Sequence, residues 1–140
     1  MYKKMLVAYD GSAGARKALA TAIELAARCG AELHSISVEE DLPHYVATVG
    51  EFEEVKRQKD AFFEQLNNEA AAQAQAAGVT LTAHVVAGHE VESIVNFCQA
   101  GGFDLLIIGF MGHSRIFERV WGSTSQTLTR LAPCSVLVVK

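Results

Sequence analysis

The chain has 140 residues, half of them apolar and a fifth charged, enough for one domain with its own core and unlike a disordered or fibrous sequence. Twelve basic residues against sixteen acidic ones leave a net charge of -4, which argues against a broad nucleic-acid surface. No apolar stretch approaches the ~20 residues that span a bilayer. The start, Met1-Tyr2-Lys3-Lys4, runs straight to Asp10 without a signal-peptide core, so the interior of a cell is the expected location.

Lys4 to Tyr9 reads as a buried strand, broken by Asp10-Gly11-Ser12. Ser12 is placed to cap a helix from about Ala15 to Cys29, with Leu19, Ala22, Ile23 and Ala26 on one face and Gly30 as its stop. Leu33 to Val38 is a second strand, and Glu39 to Gly50, with Pro43, is irregular. Glu51 to Ala77 reads as a long helix whose apolar side is Phe52, Val55, Phe62, Leu66 and Ala70. Leu81 to Val86 is a third strand. A short helix with Val91, Ile94, Val95 and Cys98 follows Gly88 and ends at Gly101-Gly102. Asp104 to Ile108 is the fourth strand, Gly109 to Trp121 a loop, and Ser123 to Leu131 the last helix, which Pro133 forbids from continuing. Val136 to Val139 is the final strand.

Strands and helices thus alternate, and the strands are continuous aliphatic runs. That pattern predicts one α/β domain, residues 1–140, with a parallel sheet covered on both faces. The two irregular segments follow the C-terminal ends of strands, the edge where such sheets bind ligands.

A glycine spacing marks that edge. Gly109, Gly112 and Gly122 fall in the pattern Gly, two residues, Gly, nine residues, Gly, with Ser123 next. Gly109 closes the run Leu105-Leu106-Ile107-Ile108, and Gly122-Ser123 opens a helix. A strand, a glycine-rich loop and a helix N-terminus make an anion site, with the amides of Ser123 and Thr124 pointing outward and the hydroxyls of Ser123 and Ser125 as added donors. The pattern points to phosphate and so to a nucleotide. It is not the P-loop, because no lysine precedes the hydroxyl, nor the dinucleotide fingerprint, because the first strand ends in Asp-Gly-Ser-Ala-Gly.

Asp10 ends the first strand. If strands one and four are neighbours it faces the Gly109 loop, where it would accept from a ribose hydroxyl or an adenine amino group, or hold Mg²⁺ beside phosphates. It would equally cap the Gly11-Ser12 turn, and the two uses can coexist. Within the loop, His113 and Arg115 are candidates to meet phosphate, and Arg119 reads as a surface charge. The five histidines are scattered with no metal-like interval, and Cys29, Cys98 and Cys134 read as buried free thiols. There is no Gly-x-Ser-x-Gly elbow. The acidic groups around Glu39 and Glu51 read as wet surface, so nothing demands fast catalysis.

The opening Met5-Leu6-Val7-Ala8-Tyr9-Asp10-Gly11-Ser12, the closing Ala132-Pro133-Cys134-Ser135-Val136-Leu137-Val138-Val139 and the glycine spacing together resemble the universal stress protein family over the whole chain. Its nucleotide-binding branch carries Gly-x2-Gly-x9-Gly-Ser/Thr, complete here at Gly109, Gly112, Gly122 and Ser123. The resemblance implies a five-stranded open parallel sheet of order 3-2-1-4-5, adenine nucleotide alpha hydrolase-like and Rossmann-like. It implies ATP, or ADP or AMP, with Mg²⁺, in the crevice between strands one and four. Ala8, Tyr9 and Asp10 would line the adenosine end, Val38 would meet adenine with its backbone, and Gly109 would pack on the ribose. Gly112, Gly122, Ser123 and Ser125 would cradle phosphates. The segment Gly112-His113-Ser114-Arg115 departs from the family's commoner Gly-Arg-Ser-Gly wording. The resemblance also implies a homodimer formed through the last strand, Val136 to Lys140, an aliphatic edge that invites pairing. The expected role is an ATP-binding regulator in stress response with at most slow hydrolysis. A Mg²⁺-dependent nucleotide hydrolase and a nucleotide-free interaction module are the alternatives.

Overall fold

The computed structural model describes residues 1–40, 49–110 and 123–140. Its elements are β1 Lys4–Ala8, α1 Ala13–Cys29, β2 Glu32–Glu39, α2 Val49–Ala76, β3 Leu81–Ala87, α3 Glu90–Gly101, β4 Leu105–Gly109, α4 Ser123–Leu131 and β5 Ser135–Val139. They form one parallel sheet of order β3-β2-β1-β4-β5. This is the expected α/β architecture, with element ends shifted by one or two residues.

β1 is the middle strand. Met5, Leu6 and Val7 are completely buried because helices cover both faces, which is why this strand is aliphatic without alternation. Alternate residues feed two cores. Met5, Val7, Leu33, Leu105 and Ile107 meet Leu19 and Ile23 of α1 and Leu66 of α2 on one face. Leu6, Ile36, Leu106 and Ile108 meet Ile94 of α3 and Leu128 of α4 on the other. Fully burying each of these large side chains contributes about 1.5–3 kcal/mol.

Helix ends follow the sequence signals. Ser12 caps α1, accepting from the Ala15 amide at 3.2 Å. Gly30 closes α1 at φ 62°, with its N–H donating to the Ala26 carbonyl.

α2 departs from the expected face. Leu66 and Ala70 are buried, joined by Asn67 and Ala74, but Val55 is 39% and Phe62 53% exposed. Phe63, not Phe62, packs against the core. Face explains Phe62, which lies about 100° round the helix from Phe63, and length explains Val55. Twenty-eight helical residues extend about 42 Å, whereas the seven residues of β3 cover about 23 Å. The first turns of α2 therefore overrun the C-terminal edge of the sheet.

The thiols differ from expectation too. Cys98 is buried and Cys134 partly buried, but Cys29 is exposed on the last turn of α1, past Ala26, the final core residue of that helix. Burial pushes Cys98 up to about 12 and raises Cys134 as well.

Candidate functional site

The C-terminal edge of the sheet gathers the described candidate residues around the exits of β1 and β4, which are neighbours, paired from Met5 with Leu105 to Val7 with Ile107. Past Ala8 the chain turns. The Asp10 carboxylate accepts from the Ser12 amide at 2.9 Å, so its turn-capping role is present. Gly11 sits at φ 79°, and a Cβ there would lie 2.8 Å from Leu66 Cδ1. Only glycine meets both demands.

Tyr9 holds this turn down. Its side chain is 2% exposed, inside the α1/α2 core rather than in the crevice. Burial above all raises the phenol above its usual range, with Glu69 and Asp10 adding to the rise and Arg16 opposing it. Its amide donates to the Ile36 carbonyl at 2.9 Å, and its carbonyl accepts from Ser37 Oγ at 2.7 Å. Tyr9 thus meets β2 at this edge through its backbone. Ala8 and Val38 lie partly buried on the opposite, α3/α4 face. Because Ile36 turns its carbonyl toward β1, the two-residue alternation turns the main-chain groups of Val38 the same way, just past the end of β1.

Gly109 ends β4 against α1. A Cβ there would lie 2.6 Å from the Gly14 carbonyl carbon and 3.0 Å from the Ala15 nitrogen. Its absence lets the first turn of α1 lie directly on the strand exit. On its other side, the Gly109 carbonyl accepts from Ser125 Oγ at 3.0 Å. Ser125 is 7% exposed, and this bond ties the first turn of α4 to β4. Its single proton is directed at that carbonyl. Thr124, beside it, is partly exposed. Ser123 opens α4 as expected. Gly112, His113, Arg115 and Gly122 lie outside the described residues.

The first turns of α1 and α4 therefore both meet Gly109, and charge sorts these two helices from the others. α1 and α4 carry no acidic residue in their first turns, whereas α2 carries Glu51 and α3 carries Glu90 and Glu92. A helix N-terminus with no acidic residue in its first turn favours an external anion, although at α1 the Ser12 amide is already taken by Asp10 and the Ala15 amide by Ser12. Among the described residues no group of three His, Cys, Asp or Glu side chains is arranged to hold a metal ion. No helix among them is long and apolar enough to cross a membrane.

The family model described as the universal stress protein family matches residues 1–140. The chain belongs to the universal stress protein family. It is 30% identical to the universal stress protein YxiE of Bacillus subtilis, with both chains covered completely. Its fold is similar to that of the universal stress protein UspA from Lactobacillus plantarum, with TM-score 0.90, 24% identity, and 99% and 98% of the two chains covered. It is also similar to a universal stress protein solved in complex with cAMP, with TM-score 0.78, 26% identity, and 99% and 97% covered.

On this universal stress protein fold, sequence reasoning missed two features. His34 and His84, taken as scattered, are a pair. His34 Nδ1 lies 2.9 Å from His84 Nε2, and His34 Nε2 lies 3.7 Å from Glu32. Phe97 and Phe103 pack against their rings, and Lys4 Nζ sits 4.7 Å over Phe103. Burial first, then His34 and Lys4, hold His84 below the usual histidine range. Strand order 3-2-1 was the available signal, since it places β2 beside β3 with both histidines on one face. Asn67 was the second omission, as a polar residue on the buried face of α2.

Proposed function

We propose that this universal stress protein binds an adenine nucleotide, ATP in the first instance, in the crevice between β1 and β4. One observation carries the reading. Among the described helices, the two whose first turns border Gly109, α1 and α4, are the ones without acidic residues there, and the Gly-x2-Gly-x9-Gly-Ser spacing joins the end of β4 to the start of α4 in sequence. The related protein solved with cAMP supports the adenine class of ligand.

In this reading Ala8, Asp10 and the backbones of Tyr9 and Val38 take the adenosine end. The carboxylate of Asp10 accepts from a ribose hydroxyl or the adenine amino group. Gly112, Gly122 and the amides of Ser123 and Thr124 hold the phosphates, with His113 and Arg115 alongside. Ser125 acts through Gly109, fixing the strand exit on which the ribose would lie. Mg²⁺ would accompany the phosphates as their counter-charge, next to Asp10. Binding then serves a regulatory role in stress response. β5 pairs with β4 along one side, and its partly exposed Val136 to Val139 support pairing with a second copy across the other.

Native mass spectrometry of the freshly purified protein, followed by calorimetric titration with Mg-ATP, ADP, AMP and cAMP, tests this. A dimer retaining an adenine nucleotide, or micromolar affinity on titration, is the expected result. A protein that arrives bare and stays bare at millimolar nucleotide, well above ordinary cofactor affinities, refutes it.

A further inference from the structure

We infer that Asn67 is a positioning residue for the crevice, and that through it and Leu66 the long helix α2 clamps the turn that presents Asp10. The inference rests on the nucleotide-binding reading and names how that site is regulated.

The starting point is a polar residue in an apolar seat. α2 buries Leu66, Asn67, Ala70 and Ala74, and Asn67 is 8% exposed. A buried amide persists only where it finds partners. Asn67 Oδ1 lies 3.4 Å from Ser37 Oγ, and the same hydroxyl lies 2.7 Å from the Tyr9 carbonyl. A hydroxyl has one proton, and the shorter contact takes it. Turned end for end, the amide donates its own N–H to Ser37 Oγ. The result is a relay in which Asn67 donates to Ser37 and Ser37 donates to the carbonyl of Tyr9, the residue directly before Asp10.

The preceding residue of α2 grips the other side. Leu66 fills the space beside Gly11, where a Cβ would lie 2.8 Å away, and Gly11 directly follows Asp10. Two consecutive helix residues thus hold the two neighbours of Asp10, one by a hydrogen-bond relay and one by packing. Asp10 in turn accepts the Ser12 amide that starts α1. A ligand that fixes Asp10 must tighten the seat of α2, and by reciprocity a loosened α2 must weaken the ligand. The N-terminal half of α2 overruns this same edge of the sheet, so the helix can carry the occupancy of the crevice out to an exposed surface.

Asn67→Leu removes the amide at similar volume and leaves Ser37 bonded to Tyr9. Ser37→Ala breaks the relay at its middle and serves where the first variant folds poorly. Hydrogen exchange on the free full-length protein is the first readout. Amides of residues 9–12 should exchange at least about fivefold faster in the variants, with those of Leu6 and Val7 unchanged. Titration with Mg-ATP is the second, with affinity falling about five- to twentyfold in variants that urea unfolding shows to be folded. Unchanged exchange at residues 9–12 overturns the clamp whatever nucleotide does. Accelerated exchange with ATP affinity within twofold of the parent overturns the positioning role. A parent protein that binds no nucleotide, beside accelerated exchange in the variants, refutes the nucleotide reading and leaves the clamp standing.

Discussion

Replacing Gly109 by alanine separates two jobs that one glycine can do. The added Cβ would stand 2.6 Å from the Gly14 carbonyl carbon, 2.7 Å from its oxygen and 3.0 Å from the Ala15 nitrogen. Carbon atoms rest at about 3.5–4.0 Å, so the clash is about 1 Å deep. Every opposing atom is backbone, and relief requires moving α1, which Ala15, Ala18, Leu19 and Ala22 hold against the sheet. That places the cost near the top of the overpacking range, about 3 kcal/mol. Gly109 does not have a positive φ, so no backbone strain adds to it. The stiffer unfolded chain returns about 0.4–1 kcal/mol. The net loss is therefore about 2 kcal/mol, or about 7 °C in Tm for a domain of this size. Urea unfolding should show a lower midpoint at unchanged m-value. Gly50→Ala, with open space around its Cβ, is the control and should lose nothing. A Gly109→Ala loss under about 0.5 kcal/mol would refute the packing argument. The glycine would then be small for the ligand's sake alone.

Ser35→Ala should stabilise the protein by about 1 kcal/mol in thermal melts, because Ser35 is fully buried and its Oγ has no partner among the described residues. A loss of similar size would reveal a partner. Acidification should act through His84: its folded pKa lies below 6.5, so the unfolded chain takes the proton first. Stability then falls as pH drops below 6.5 and levels off beneath the folded pKa. Urea midpoints from pH 7.5 to 5 check this, and a His84→Gln profile as steep as the parent's would contradict it. With an aromatic disulfide reagent at pH 8, the exposed Cys29 should react in one fast phase, and Cys98 and Cys134 only as the chain opens. Two fast equivalents would show the thiol pair to be accessible.

The strands were legible because burial on both faces leaves its mark as unbroken runs such as Leu105 to Ile108, and Ser12 and Gly30 announced the ends of α1 through local chemistry alone. What escaped was set by distant partners. The stripe Phe52, Val55, Phe62, Leu66, Ala70 has helical period throughout, and periodicity does not tell where the sheet beneath it stops. A hydroxyl at a helix start reads as a donor to whatever lies ahead; that Ser125 turns to the Gly109 carbonyl depends on the β4–α4 contact. The pairing of His34 with His84 needs the register of β2 on β3, which brings His84 opposite Ile36 and Thr82 opposite His34. Nothing local to α2 marks Asn67, whose role depends on Ser37 and Tyr9 lying beneath it.

The central place of β1 has a cost in time. The strand is made first and its β2 side is filled early, but its other side waits for β4. The Lys4 amide is closed by the Asp104 carboxylate, 100 positions on. Such long-range pairing is slow in any refolding experiment. In synthesis, the seventy residues between the ends of β2 and β4 take roughly 4–14 s to appear at ordinary rates. For that interval Met5, Leu6 and Val7 present an apolar strand with one edge unpaired, and this half-built sheet is the form of the chain most open to pairing with a neighbour.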